Sequence, residues 1–449
     1  MPKNTFLIGA ASAFSGDRQD AAGPVVDSLI ASGKPSALIY ETLAERTLAL
    51  AQIARRNDPN SGFDPWLEDI VGPVLKRCLE NRITIIGNFG AANPLGAASR
   101  LRMMALKLGL KAPRIAVIEG DDVSGPGYRE YLKTALGNKL DEESVVSANV
   151  YIGADSIADA ILAGAQIVVA GRVSDPALTV GPLLAHFKWS RDDWSRRGKA
   201  VMIGHVLECG CQATGGYFAD PGYKDVPDLA HVGFPIAEVD ENGDCIFTKP
   251  VGTGGLVVPA SIKEQLLYEL DDPSSYITPD AVADISECTI ESIGLDQVAM
   301  KNVKGTPWPA TLKVLVCHEG GWLAEAEISY AGPRAESRAR LAAAIVRERI
   351  GNLLPLRIDL IGALSLHADD AGEMLANTPP GDGRDIRLRI SSKHDDRSKA
   401  DLLNREVMAL YTCGPAGGGG VRTSLKPRLS TTACFLPREL FPSSFSIVV

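Results

Sequence analysis

Six short runs rich in Ile, Val and Leu alternate with helix-like segments through residues 1–185, and this alternation constrains the fold more than any other feature. The runs cover 5–11, 37–41, 83–88, 114–119, 145–151 and 166–171. Strands separated by helices return to one sheet through crossovers, which makes neighbouring strands parallel. The predicted fold class is therefore α/β, with a Rossmann-like, mostly parallel N-terminal sheet and crossover helices. The best-marked helix starts near Asp64, a capping residue followed by Pro65, and Gly72 and Pro73 should bend it.

The pattern then changes. Residues 186–283 read as a connecting or inserted region, in which the run GYKDVPDLAHVGFPIAEVDENGD should be mostly loop with a hairpin turning at Asn242-Gly243. Its apolar residues Val226, Leu229, Phe234 and Ile236 argue against disorder, so it is expected to form a lid or pocket wall. From 284 to 449, strands follow in succession: CTIESIG, QVAMKNV, ATLKVLVCHEG and WLAEAEISYAG. A helix over 334–350 carries Ala339, Ala342, Ala343, Val346 and Ile350 on one stripe, and another covers 399–411. This part is predicted to be a C-terminal α+β domain.

Composition narrows the function. Hydrophobic residues are 45% of the 449, without an apolar run of the ~20 residues a membrane span needs. A net charge of −9, with no basic run interleaved with aromatics, opposes nucleic-acid binding. No convincing signal peptide opens the chain, so the expected location is cytoplasmic. The eight Cys are scattered and should be reduced. Cys209 and Cys211 form a C-x-C without a second close Cys/His pair, which is a weak zinc signal.

Chemistry concentrates in two places. Ligands of open parallel sheets bind at the carboxyl ends of strands. Those ends carry Asp17 and Arg18, Glu41, Asn88 and Asn93, Asp121 and Asp122, then Arg172 and Asp175. Each cluster alone is ordinary turn and cap chemistry, but on one rim together they read as a binding site. The second place is 204–220, GHVLECGCQATGGYFAD. There His205 and Glu208 would be an acid/base pair if the segment is helical; on a strand they would point apart. Cys209 is a candidate thiol nucleophile beside His205, and Tyr217 an alternative acid. Thr214, Gly215, Gly216, Gly254 and Gly255 are candidate substrate contacts, the glycines through backbone N–H groups, and Arg172 would hold a carboxylate or an enolate. No phosphate-binding fingerprint is present, since GAASAFSG is not G-x-G-x-x-G. No cofactor is expected, and no residue is expected to be a metal ligand. A divalent cation on Asp17, Glu41, Asp121, Asp122 and Asp175 stays open, because spacing does not establish convergence.

The stretch HVLECGCQATGGYFADPGYKDVPDLAHVGFPIAEV resembles the AtuA family, the acyclic terpene utilisation proteins associated with bacterial citronellol and geraniol breakdown. AFSGDR at 13–18, NFGAANPLGAA at 88–98, GRVSDPAL at 171–178, TKPVGTGGLV at 248–257 and CGPAGGGGVR at 413–422 agree with it, so the resemblance runs over residues 5–440. It implies a substrate class, small branched carboxylic acids often carried as CoA thioesters, and leaves the reaction open. Two functions follow. The first is a cofactor-independent lyase or hydratase acting on a small branched or hydroxy acid or its acyl-CoA thioester. The alternative is a non-catalytic acyl-CoA-binding or assembly subunit of a catabolic complex. The expected partner is that acid or acyl-CoA, with neither nucleic acid nor membrane, and an apolar edge on the second domain would pair into a homo-oligomer.

Overall fold

The computed structural model describes residues 4–140 and 144–448. Five of the six apolar runs form the centre of one sheet. Thr5–Ala10, Ser36–Tyr40, Thr84–Gly87, Ile167–Val169 and Ile115–Glu119 lie side by side in that order, every neighbouring pair parallel. Such strands are covered on both faces and so read as nearly continuous apolar runs; all five residues of SALIY are buried. One face is covered by helices Ala22–Ser32, Leu67–Glu80 and Pro94–Lys107 through Val25, Val71 and Leu101. Asp155–Leu162, Ala177–Phe187 and Trp194–Glu208 cover the other through Ile157, Leu183 and Val206.

The complete sheet is mixed rather than mostly parallel. Beyond Thr5–Ala10 it continues through Ile236–Asp240, Cys245–Thr248, Gln297–Lys301 and Thr289–Gly294, each antiparallel to its neighbour. At the opposite edge Ser444–Val448 adds antiparallel to Ile115–Glu119, giving ten strands among the described residues. CTIESIG and QVAMKNV thus extend this sheet instead of opening a separate α+β region. Asn242 and Gly243 do lie in the turn between Ile236–Asp240 and Cys245–Thr248, where Gly243 has φ +80°.

The sixth run, Val145–Val150, departs from expectation. It pairs with the 21-residue strand Thr311–Ala331 and not with the central sheet. Its sequence explains this, because Ser147 and Asn149 put polar groups where a doubly covered strand needs apolar ones.

The chain divides into two compact units. One comprises residues up to 140, 145–317 and those from 431 on; the other holds 318–430 with Ser144. In the second unit helices Ala335–Ile350 and Arg397–Cys413 pack on a sheet that includes Arg357–Ile361 and Asp385–His394. The predicted stripe of Ala339, Ala342, Ala343, Val346 and Ile350 is buried there, against Leu403 and Val407. No helix among the described residues is long and apolar enough to cross a membrane.

The connecting region contains the helix Trp194–Glu208, started by Asp193, whose side chain accepts from the Arg196 N–H at 3.1 Å. One buried cation ties it down. Arg197 is fully buried, donating from Nη2 to Asp280 Oδ1 and from Nε to the Asp280 carbonyl, both at 2.9 Å, and from Nη1 to Asp155 at 3.0 Å. Its guanidinium lies 5.0 Å from the Trp308 ring centroid. Removing one partner of such a pair strands the other charge without water. Asp280→Ala is therefore expected to cost about 3–5 kcal/mol, read by urea unfolding. Glu80→Ala, which breaks the exposed Lys76–Glu80 pair, should cost no more than about 1 kcal/mol.

Candidate active site

The carboxyl ends of the parallel strands are joined by side chains. Glu41, just past Ser36–Tyr40, accepts at Oε1 from the Leu43 N–H and from Asn88 Nδ2, both at 2.9 Å. Asn88 Oδ1 accepts from the Thr42 N–H at 2.8 Å, which clasps two adjacent strand ends together. Asp121, past Ile115–Glu119, accepts at Oδ2 from the Arg172 N–H at 2.8 Å and from Asn149 Nδ2 at 3.1 Å. Arg172 stands at the centre and is only 1% exposed. It donates from Nε to the Val173 carbonyl at 2.8 Å, from Nη1 to the Leu43 carbonyl, and from Nη2 to the carboxylate of Asp175. The Tyr151 ring lies 4.5 Å from its guanidinium carbon.

The last turn of Trp194–Glu208 comes down beside this cluster. Gly204 permits the approach, since a Cβ there would stand 2.8 Å from both Cα and the carbonyl oxygen of Pro176. Because the segment is helical, His205 and Glu208 share a face, with His205 Nδ1 3.1 Å from Glu208 Oε1. The Tyr276 hydroxyl lies 3.3 Å from the same Nδ1.

Burial, then the charges of Asp175 and Glu269, push Glu208 well above the usual carboxylate range, while Arg172 opposes them. Burial lowers His205, against the opposing pull of Glu269 and of the carbonyls of Gln265, Tyr268 and Leu266. Glu41 is pushed up to about 8, first by burial and then by Asp175, and burial takes Asp121 to about 6. Both shifts favour the uncharged forms, a protonated Glu208 and a neutral His205. In the tautomer that carries its proton on Nε2, the Nδ1 lone pair can accept from Glu208 or from Tyr276 in turn.

A cavity of about 420 Å³ opens in front of this group. Tyr151, Asp175, Tyr276 and Lys313 supply polar walls; Ile277 and Leu312 are among the apolar ones. Ser174 also lines it, with a buried Oγ that meets no hydrogen-bonding partner. Lys313 Nζ is 3.1 Å from Glu45 Oε1. His205 and Glu208 do not line the cavity. They stand behind Tyr276, and Glu208 Oε2 and His205 Nε2 are buried without a hydrogen-bonding partner.

The family model described as acyclic terpene utilisation family protein AtuA matches residues 6–447. The chain belongs to the AtuA family. No curated protein matches it.

In this AtuA-family chain Glu41, Asn88, Asp121, Arg172, Asp175, His205 and Glu208 come together, and the remaining candidates serve elsewhere. Asp17 braces its own loop, accepting from the Ala13 N–H at 2.9 Å and the Arg18 N–H at 2.8 Å. Arg18 pairs with Asp20 at 2.7 Å and donates to the Ala230 and Val232 carbonyls at 3.3 Å. Asn93 caps Pro94–Lys107 by accepting from the Gly96 N–H at 3.0 Å. Thr214 Oγ1 donates to the Cys211 carbonyl at 3.0 Å. The N–H groups of Gly216, Gly254 and Gly255 donate to the Cys211, His231 and Pro227 carbonyls at 2.8 Å each, and that of Gly215 to Gln212 at 3.4 Å. These glycines allow tight turns and do not form an open anion nest. Tyr217 is 85% exposed. The Cys209 thiol donates to the His205 carbonyl at 3.3 Å, not to its ring, and burial, reinforced by Glu208, pushes it far above the usual thiol range. Its local chemistry is that of an inert buried thiol. No group of three or more His, Cys, Asp or Glu among the described residues is placed to hold a metal ion, so the five carboxylates considered for a divalent cation do not converge.

Of the residues that line the cavity, only Asp175 was among the sequence candidates. Tyr151 and Ser174 sit at or just past expected strand ends, so the rule that selected Arg172 also reaches them. Tyr276 and Lys313 arrive from distant segments and carry no local signal.

Glu41 supplies a stability test. Its folded value of about 8 lies above the ordinary value of 4.5. The folded state thus binds the extra proton, and the stabilisation, complete below the ordinary value, is lost as pH rises through about 8. Glu41→Gln keeps both hydrogen-bond acceptances and removes the titration. The variant should lose less stability than the parent between about pH 5 and 8 in urea unfolding series; equal slopes would show that Glu41 is not the titrating group.

Proposed function

We propose that this AtuA-family protein is a lyase of the hydratase/dehydratase type, acting without an organic cofactor on a small branched or hydroxy carboxylic acid or its acyl-CoA thioester. The observation carrying this reading is that Asp175 and the His205-backed Tyr276 face one cavity. Adding water beside a carbonyl needs a base for the water proton, an acid for the α-carbon and a donor for the enolate oxygen. Asp175 suits the base. Tyr276 suits the acid, because burial keeps its hydroxyl protonated. The otherwise unpartnered Ser174 hydroxyl suits the enolate oxygen, with Lys313 as a further cation on the same wall.

In the addition direction, Asp175 takes a proton from water as the oxygen bonds to the β-carbon. The electron pair of the double bond moves toward the carbonyl, and Tyr276 delivers its proton to the α-carbon. His205 and Glu208 are positioning residues. Once Tyr276 has given up its proton, the Glu208 proton reaches the phenolate through His205 Nδ1, and the proton that Asp175 took leaves by the cavity as Glu208 is reprotonated. Dehydration runs the same steps backwards. A cavity of about 420 Å³ suits the acyl portion of such a substrate, with Ile277 and Leu312 against its alkyl branch. The family description supports a place in acyclic terpene utilisation or related carboxylic acid breakdown.

The decisive screen is mass spectrometry of hydroxy acids, unsaturated acids and their CoA esters incubated with the protein. Interconversion with an 18 Da mass change is expected, as water is gained or lost. Tyr276→Phe and Asp175→Asn should each lower kcat by about 10²–10⁴-fold without loss of fold. Binding of an acyl-CoA with no turnover, together with co-purification of a second enzyme, would instead support the non-catalytic subunit.

A further inference from the structure

A second cavity lies on the same sheet rim, at the ends of the first three parallel strands. It measures about 350 Å³ and sits under the helix Glu45–Asn57. Leu43, Leu50, Ala51, Ala54, Phe63 and Ala91 give it an apolar lining. At one end Asp64, 5% exposed, faces Ser15 and Thr42. Asp64 Oδ1 accepts from the Trp66 N–H at 2.7 Å, and the Ser15 and Thr42 hydroxyls also hydrogen-bond to the carboxyl. Asp64 is the one ionisable residue on the described lining.

The cover is loosely built. The helix Glu45–Asn57 buries only Leu48 and Ala49 of its thirteen residues. Its apolar contacts form a small cluster with Leu43, Ala91 and Ala92, separate from the two large cores beside the sheet. Ala91 is held at φ +44°, a left-handed conformation that a non-glycine residue rarely adopts and that gathers at ligand sites. An apolar guest between Leu43, Ala51 and Ala91 would complete that cluster.

We propose that this cavity is a second small-molecule site, taking an aliphatic alcohol whose hydroxyl donates to Asp64 while its chain fills the space under Glu45–Asn57. The chemistry selects the head group. A carboxylate would meet the Asp64 charge in a mostly apolar enclosure, where like charges repel strongly. An ammonium would be stripped of water to reach a carboxylate already held by three donors. A hydroxyl is neutral and donates one hydrogen bond to a lone pair left on Asp64. The site stands apart from the reaction proposed above, although the segment between the two cavities is shared. The Leu43 carbonyl accepts from Arg172, and Glu45 pairs with Lys313.

The test is isothermal titration of the full chain with linear and branched C6–C8 primary alcohols and the carboxylates and amines of matching chains. Alcohols should bind at least about tenfold tighter than either. Ala54→Phe, on the covering helix, should weaken alcohol binding by at least about tenfold with the unfolding midpoint retained. Asp64→Asn should bring alcohol and carboxylate to within about threefold of each other. Leu312→Trp, which fills the other cavity, should leave alcohol binding unchanged. The proposal is overturned if acids or amines bind as well as alcohols, if no alcohol binds, if Ala54→Phe has no effect, or if Leu312→Trp abolishes binding. Loss of the hydratase activity by Tyr276→Phe with alcohol binding intact would separate the two readings.

Discussion

The ion pair of Arg172 with Asp175 is the interaction on which the rest of the site depends. A guanidinium that is 1% exposed needs compensation on every side, and it obtains this from Asp175, two backbone carbonyls and the Tyr151 ring. Those partners come from the ends of different strands and from the loop at Leu43, so one buried charge fixes the relative positions of several segments. It also sets the local field. Glu41 and Glu208 both feel Arg172 as a stabilising cation, yet for both burial and the neighbouring Asp175 outweigh it. One cation cannot keep three closely placed carboxyl groups ionised away from water. Asp175, at the cavity, takes the direct contact, and the deeper pair is driven toward the protonated form.

That division separates the roles of chemically similar groups. Asp175 faces open space and is matched to a cation, whereas Glu208 faces His205 and Tyr276 from within. Environment rather than residue type makes one carboxyl a suitable proton acceptor and the other a proton store. The Trp194–Glu208 helix must come close enough for this, which is why Gly204 against Pro176 matters as much as the polar residues. Arg197, about two turns before Gly204 on that helix and paired with Asp280, anchors its start beside the segment that carries Tyr276.

Much of the framework was legible in the sequence because local hydrophobicity determines it. Apolar runs such as SALIY mark strands covered on both faces, and the Ala339–Ile350 stripe marks a helix with one buried face. Polar residues after the strands mark the rim for the same reason, since turns and ligands both meet the sheet there. The failures have equally physical causes. VVSANV looked like another central strand, but Ser147 and Asn149 suit it to a different pairing. CTIESIG and QVAMKNV carried no sign of which sheet they would join, since antiparallel edge pairing is a long-range choice. Within the site, His205 and Glu208 were conspicuous, but their distance behind the cavity surface was not, and Tyr276 became visible only through packing. The glycines at 215, 216, 254 and 255 looked like anion binders because turns and nests use the same residues.

The central claim is that Tyr276, supported from behind by His205 and Glu208, moves a proton at carbon next to a carbonyl. The most direct measurement is NMR detection of deuterium entering the α-position when unsaturated acids or their CoA esters react in D₂O. The account predicts deuterium at the α-carbon of the hydrated product with the parent protein, and its loss in Tyr276→Phe under conditions where the substrate still binds. Product formed at an undiminished rate by Tyr276→Phe, with the same α-deuterium content, would contradict it.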